Sequence, residues 1–148
     1  MQLKEMTYPA RMLLHVGIGG VGAMIARLFG GWDSALITLI IMMAADYITG
    51  FLVAAVFHRS AKSKSGALES RAGFKGICRK GVMLTVVLIC CRLDVTLGTD
   101  YIRNTAIIAF IVNEGVSVIE NAGLMGVPIP KVLKNAIGLL KDKEDNDA

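Results

Sequence analysis

A chain of 148 residues has room for one domain and no second core. Hydrophobic residues make up 54% and charged residues only 19%, with a mean hydropathy of +0.59, a balance ordinary for a multi-span membrane protein and unusual for a soluble domain. The formal charge of +4 is concentrated in one segment between apolar runs, not spread over a face, which argues against a nucleic-acid partner.

After a polar start carrying Lys4, Glu5 and Arg11, a moderately apolar stretch runs from Met12 to Phe29, interrupted by His15 and Arg27. A basic start, an apolar middle and the small residues Ala23 and Ala26 fit a signal peptide, but no convincing cleavage site follows, so the stretch is read as retained and just long enough to span. Gly17, Gly19 and Gly22 match G-x-G-x-x-G, with Asp46 about where a ribose-binding acid would stand. A dinucleotide fold needs a crossover helix after those glycines, and Gly30–Gly31 breaks the segment too soon. Small-residue packing is the better reading. Gly22, Ala26 and Gly30 recur every fourth residue, which lets two helices approach closely in lipid, and Gly50 and Ala54 repeat the spacing.

The run from Ala35 to Phe57 organises the chain. It is long enough to cross about 30 Å of hydrocarbon as a helix, shows no polar face, and is flanked by Trp32 at one end and by His58 and Arg59 at the other. Its single ionisable residue, Asp46, lies at the centre, where a carboxyl costs about 2.5–3.5 kcal/mol and must face protein or water.

Residues 58–80 read as a hydrophilic loop with seven cations, Arg59, Lys62, Lys64, Arg71, Lys75, Arg79 and Lys80, against Glu69 alone. The positive-inside rule places this loop in the cytoplasm, and adhesion to anionic lipid headgroups is a natural secondary role. Cys78 flanks it and Cys90–Cys91 lie in the next apolar run. The three thiols form neither an even framework nor a ligand spacing, so neither disulfides nor zinc is expected, and no cofactor is implied.

A third span is expected over 81–98, with Arg92 and Asp94 inside it, and a fourth over 105–125, with Asn113, Glu114, Glu120 and Asn121. Pro128 and Pro130 stop that helix. From Lys131 to Lys141 the apolar Val132, Leu133, Ala136, Ile137 and Leu140 share one face, which fits a helix lying in the membrane interface, and a charged, solvated tail follows over 142–148. The fold class expected is therefore an all-α integral membrane protein of three to four transmembrane helices plus a C-terminal amphipathic helix. Four spans put both termini in the cytoplasm; three leave the N-terminus outside.

Depth adds an expectation. Asp46 lies eleven residues before Phe57 and Arg92 eleven after Gly81, which puts both near the midplane, with Glu114 at a similar level. A compensating buried cluster of Asp46, Arg92 and Glu114, with Asp94 and Asn113 nearby, is one reading. In the other, Arg92 snorkels to the outer interface and pairs with Asp94.

The segments Asp46-Tyr-Ile-Thr-Gly50, Gly76-Ile-Cys-Arg-Lys80, Asp94, Asn113-Glu-Gly-Val-Ser-Val-Ile-Glu-Asn121 and Gly126-Val-Pro-Ile-Pro130 occur in that order. Together they resemble the toxin secretion/phage lysis holin family over roughly residues 32 to 142, with Glu120, Asn121, Pro128 and Pro130 in the most specific part. The resemblance implies a non-enzymatic protein that accumulates in the bacterial cytoplasmic membrane and forms homo-oligomers. It then opens lesions that let an endolysin, or in some relatives a toxin, cross, with an antiholin as a further partner. Arg92 and His15 have no family motif behind them. Three rivals stand beside this reading: a small ion channel or transporter subunit using Asp46 and Glu114, a holin antagonist or membrane scaffold, and a soluble dinucleotide enzyme.

Overall fold

The computed structural model describes residues 8–59 and 70–135. They form four helices and no strand: α1 (Tyr8–Leu28), α2 (Ser34–Ala55), α3 (Ser70–Leu97) and α4 (Ile102–Leu124). A helical turn continues over 131–135; the remainder of the expected interfacial helix and the charged tail lie outside the described residues, as do Lys62 and Lys64.

The ends of these helices are written in local chemistry. Asp33 caps α2, its carboxylate accepting the Leu36 N–H at 2.9 Å. Helices α1, α3 and α4 each end on a left-handed glycine, Gly30, Gly98 and Gly126, and in each case the next N–H returns to a carbonyl inside the last turn. Asp94 supplies a cap from a neighbouring helix. Tyr101, at the N-cap of α4, makes no side-chain capping bond, and the Asp94 carboxylate accepts the N–H groups of Ile102 (3.1 Å) and Arg103 (2.8 Å) instead.

Helices α2 and α4 run in the same direction and share the largest interface, pairing Asp33 with Arg103 near their starts and Thr49 with Asn121 farther along. Antiparallel to both, α3 packs chiefly on α4, and α1 touches α3 lightly. The core joins Leu36, Leu39 and Met43 of α2, Met83 and Val87 of α3, and Ile107 of α4. Gly115 admits the Met42 methyl into the α2–α4 interface, where a β-carbon would stand 3.2 Å away.

The interior is unusually polar and the exterior unusually apolar. Asp46, Asp94, Arg103, Glu114 and Asn121 are all buried, while Ile37, Ile41, Ile48, Val82, Ile89 and Ile108 are exposed. Water would favour the reverse arrangement.

Among the described residues two helices, α2 and α4, are long and apolar enough to cross a membrane, fewer than the three to four that the sequence predicts. The apolar part of α1 is short, and the apolar run of α3 that follows Lys80 ends at Leu97 and carries Arg92 and Asp94. Because α3 begins at Ser70, Arg71, Lys75, Arg79 and Lys80 lie on a helix, not on a loop.

Candidate functional site

Each of the three packed helices has a buried stripe with the three-then-four spacing of close helix packing. On α2 it includes Leu36, Leu39, Met43, Asp46 and Val53; on α3, Met83, Val87, Cys91 and Asp94; on α4, Arg103, Ile107, Glu114 and Asn121. Where polar residues fall on these stripes they have no choice but to meet one another, and they do so in two layers.

The first layer is an ionic triad. Lys80, one step before Met83 on the α3 stripe, donates to Asp46 Oδ2 at 2.9 Å and also to Glu114 Oε2. All three side chains are shielded, with 15%, 10% and 7% exposure for Lys80, Asp46 and Glu114. Asn121 completes the layer, its amide donating to Asp46 Oδ1 (3.2 Å) and to Thr49 Oγ1 (3.0 Å). Asn121 thus gains a role that its place in the sequence motif alone did not reveal. The triad ties three helices through one ammonium, and an interaction of this kind is strong only because its members are desolvated together.

The second layer lies some 17 Å away along α4, eleven residues at about 1.5 Å each. Arg103 donates from Nε to the Phe29 carbonyl at 2.6 Å and from Nη1 to Asp33 Oδ2 at 2.7 Å and Asn104 Oδ1 at 3.0 Å. Its Nη2, also buried, has no hydrogen-bond partner among the described residues. The hydrogen bond from Arg103 is the main reason that the Asp33 carboxyl is held below its ordinary value. Asp94, accepting also from Thr99 Oγ1 at 2.6 Å, orients the turn that presents Arg103.

The expected cluster of Asp46 and Arg92 is corrected here. Arg92 is exposed and Lys80 takes its place. Twelve residues separate the two on α3, a rotation of roughly 120°, so when Lys80 faces inward Arg92 cannot. Counting depth from Gly81 hid this, because the helix begins well before that residue. Asp94 belongs to the second layer, not to the cluster, and Asn113 is exposed at the edge of the triad's cavity. Of the packing residues expected, Gly30 meets Cys91 and Arg103, and Ala54 is buried; among the described residues nothing lies within 4 Å of where a β-carbon on Gly22 would point. Glu120 is half-buried on α4, Pro128 lies in the segment after it, and the Pro130 carbonyl accepts the N–H of Leu133 and of Lys134. Arg59 donates to the Leu124 carbonyl at 3.4 Å. Sequence reasoning missed Arg103 and its partner Asp33, and missed the place of Lys80 in the triad. The signal was present: Lys80 extends the stripe of Met83 and Val87, and Arg103 that of Ile107 and Glu114.

Beside the triad a cavity of about 630 Å³ opens between α2 and the first half of α3. Asp46, Lys80 and Glu114 form its inner end, and Tyr47, Phe51 and Phe74 line it. Tyr47 lies against Gly73 and Gly76, where an added β-carbon would stand in ordinary van der Waals contact with it. Among the described residues no group of His, Cys, Asp and Glu has metal-binding geometry.

Comparison with known proteins agrees with the physical reading. A sequence profile of the bacteriophage holin family matches residues 23–142. An uncharacterised 14.9 kDa protein encoded beside nagH in Clostridium perfringens is 39% identical over 86% of this chain and 92% of its own length. A Listeria innocua protein is 39% identical over 92% and 91%. A protein of Bacillus phage phi105 named as a probable holin is 29% identical over 74% of both chains. No solved structure matches. By the extent of the family match and the identity of these relatives, the chain belongs to the bacteriophage holin family.

Proposed function

We propose that this protein is a holin: it inserts as a multi-pass protein in the bacterial cytoplasmic membrane, associates with itself, and opens lesions through which an endolysin or a toxin crosses. The observation that carries the reading is the reversal of inside and outside. An ionic triad and an Arg–Asp layer occupy the interior, while isoleucine and valine side chains cover the outer faces of α2, α3 and α4. Hydrocarbon is the solvent that favours this arrangement.

The apolar C-terminal part of α3 then crosses beside α2 and α4, with α1 as a fourth span or an interfacial helix. Arg59, the cationic start of α3 and Lys131 and Lys134 support, by the positive-inside rule, a cytoplasmic position for the 58–80 segment and the C-terminus. In a single copy the triad hides its charges from lipid. In a large assembly, separating α3 from α2 and α4 would expose Asp46, Glu114, Asn121 and Ser117 to water, which solvates them at little cost and so favours a water-filled lesion. No covalent step is needed.

The test is inducible expression in a bacterium that also makes a cytoplasmic endolysin without an export signal. Abrupt loss of culture density after a delay, only when both proteins are present, is the expected result. Unchanged growth with the protein confirmed in the membrane would overturn the reading in favour of an antagonist.

A further inference from the structure

The three packed helices end at about one level. Helix α2 runs nine residues past Asp46 and α4 ten past Glu114, while α3 begins ten before Lys80, so each reaches about 14–15 Å beyond the ionic triad. Arg71, Lys75 and Arg79 stand four residues apart on α3 and form one stripe along it, and all three are exposed. Lys75 and Arg79 line the cavity beside the triad, about 8 Å and 14 Å in from the first residue of the helix. Like charges at this spacing repel one another along a helix. A cation below the surface of a bilayer is costly unless its side chain extends to water or to a headgroup. Apolar side chains are interleaved with the stripe: Phe74 and Ile77 are 68% and 55% exposed, and Phe51 lines the cavity from α2.

Water would solvate the two cations but leave Phe51, Phe74 and Ile77 uncovered, whereas an acyl chain alone would cover the rings and strand the cations. A molecule with an anionic head and a hydrocarbon chain answers both needs, and basic pockets between membrane helices hold such headgroups. A soluble acidic protein would have to enter well below the helix ends to reach Arg79. We propose that the cavity seats one anionic phospholipid of the cytoplasmic leaflet, its phosphate held by Lys75 and Arg79 and an acyl chain laid against Phe51 and Phe74. This rests on the membrane insertion and orientation proposed above and on none of the lesion-forming steps.

The test reconstitutes the full chain in phosphatidylcholine bilayers with one tryptophan as reporter. Trp32, the single tryptophan, is replaced by phenylalanine, and Phe51→Trp reports from the cavity. Phe57→Trp reports from the same end of α2, outside the cavity lining. Each reporter is quenched with increasing fractions of chain-brominated phosphatidylglycerol or phosphatidylcholine. At Phe51→Trp, half-maximal quenching is expected at a phosphatidylglycerol fraction at least fivefold lower than for phosphatidylcholine, since one cation near an anionic surface contributes about fivefold. The two lipids should agree within twofold at Phe57→Trp. Adding Lys75→Gln with Arg79→Gln should bring the Phe51→Trp ratio within twofold, and Lys75→Arg with Arg79→Lys should retain the preference; circular dichroism confirms that each variant is folded. The same preference at both reporters means diffuse surface attraction and overturns the site. No preference at Phe51→Trp also overturns it, and binding of oligoglutamate by that same chain would then assign the stripe to a soluble acidic partner. Quenching by neither lipid at either reporter removes the membrane insertion itself, and the site with it.

Discussion

Replacing Lys80 by methionine keeps the length and apolar stem of the side chain but leaves Asp46 and Glu114 facing the same space without their shared ammonium. Their side chains retain only 10% and 7% exposure, so water cannot make good the loss. Removing one partner of a buried ion pair costs about 3–5 kcal/mol, and here two like charges are left behind, which places Lys80→Met in the upper part of that range. Against a typical total stability of about 5–15 kcal/mol this is a large fraction. Neutralising the carboxylates at the same time, as Lys80→Met with Asp46→Asn and Glu114→Gln, removes the two like charges and should recover most of the loss, because a buried pair and its neutral replacement often differ little. Arg92→Met is the control; this residue is exposed and should change stability by less than about 0.5 kcal/mol. Denaturant unfolding in detergent micelles, followed by circular dichroism, measures all of these variants. A loss below about 1 kcal/mol in Lys80→Met, or a triple variant as unstable as the single one, would refute the claim that this ammonium joins the helices.

Other substitutions probe the second layer and the turns. Asp94→Ala deprives Thr99, Ile102 and Arg103 of their common acceptor and should cost about 1–2 kcal/mol, the upper range for loss of a helix cap, measured by the same unfolding assay. Asp33 is held below its ordinary 3.8 by the hydrogen bond from Arg103, so its contribution is fully present above pH 3.8 and is lost as pH falls through the lowered folded value. The melting temperatures of the parent and Asp33→Asn should therefore differ at pH 6 and converge on acidification below that value; the difference should be modest, because the Asp33 side chain is 44% exposed and screened by water. Gly30→Ala forces a left-handed alanine (φ 80°) whose β-carbon would lie 3.2 Å from Cys91 Sγ, and should lower stability by about 1–2 kcal/mol, whereas Gly22→Ala should be close to neutral.

The helical architecture was legible because long apolar runs and helix breakers such as Gly30–Gly31, Pro128 and Pro130 are local signals. Ala35–Phe57 and Thr105–Met125 nearly reproduce α2 and α4, although the carboxylates that cap their starts, Asp33 and Asp94, lie outside those runs. The start of α3 was not legible from hydropathy. Charged residues read as a loop when considered alone, yet Ser70–Lys80 is helical, with Gly73 and Gly76 against Tyr47 and with Lys80 held by two carboxylates from other helices. Asp46 and Glu114 were identified because a carboxyl in an apolar run must find a partner. Which partner it finds depends on rotation as well as depth, and a depth count carries no rotation. Arg103 escaped notice for a similar reason: its acceptors, the Phe29 carbonyl and Asp33, lie about seventy positions away in sequence.

Protein-sized passage is the property that separates a holin from an ion-selective pore, and one experiment measures it directly. The protein is expressed alone in cells that carry a folded cytosolic reporter, while membrane potential and reporter release are recorded together. Release of intact reporter into the periplasm or medium at the moment the potential collapses is the expected result. Collapse of the potential with the reporter fully retained would contradict the lesion and assign the polar face of α2 and α4 to an ion-selective pore.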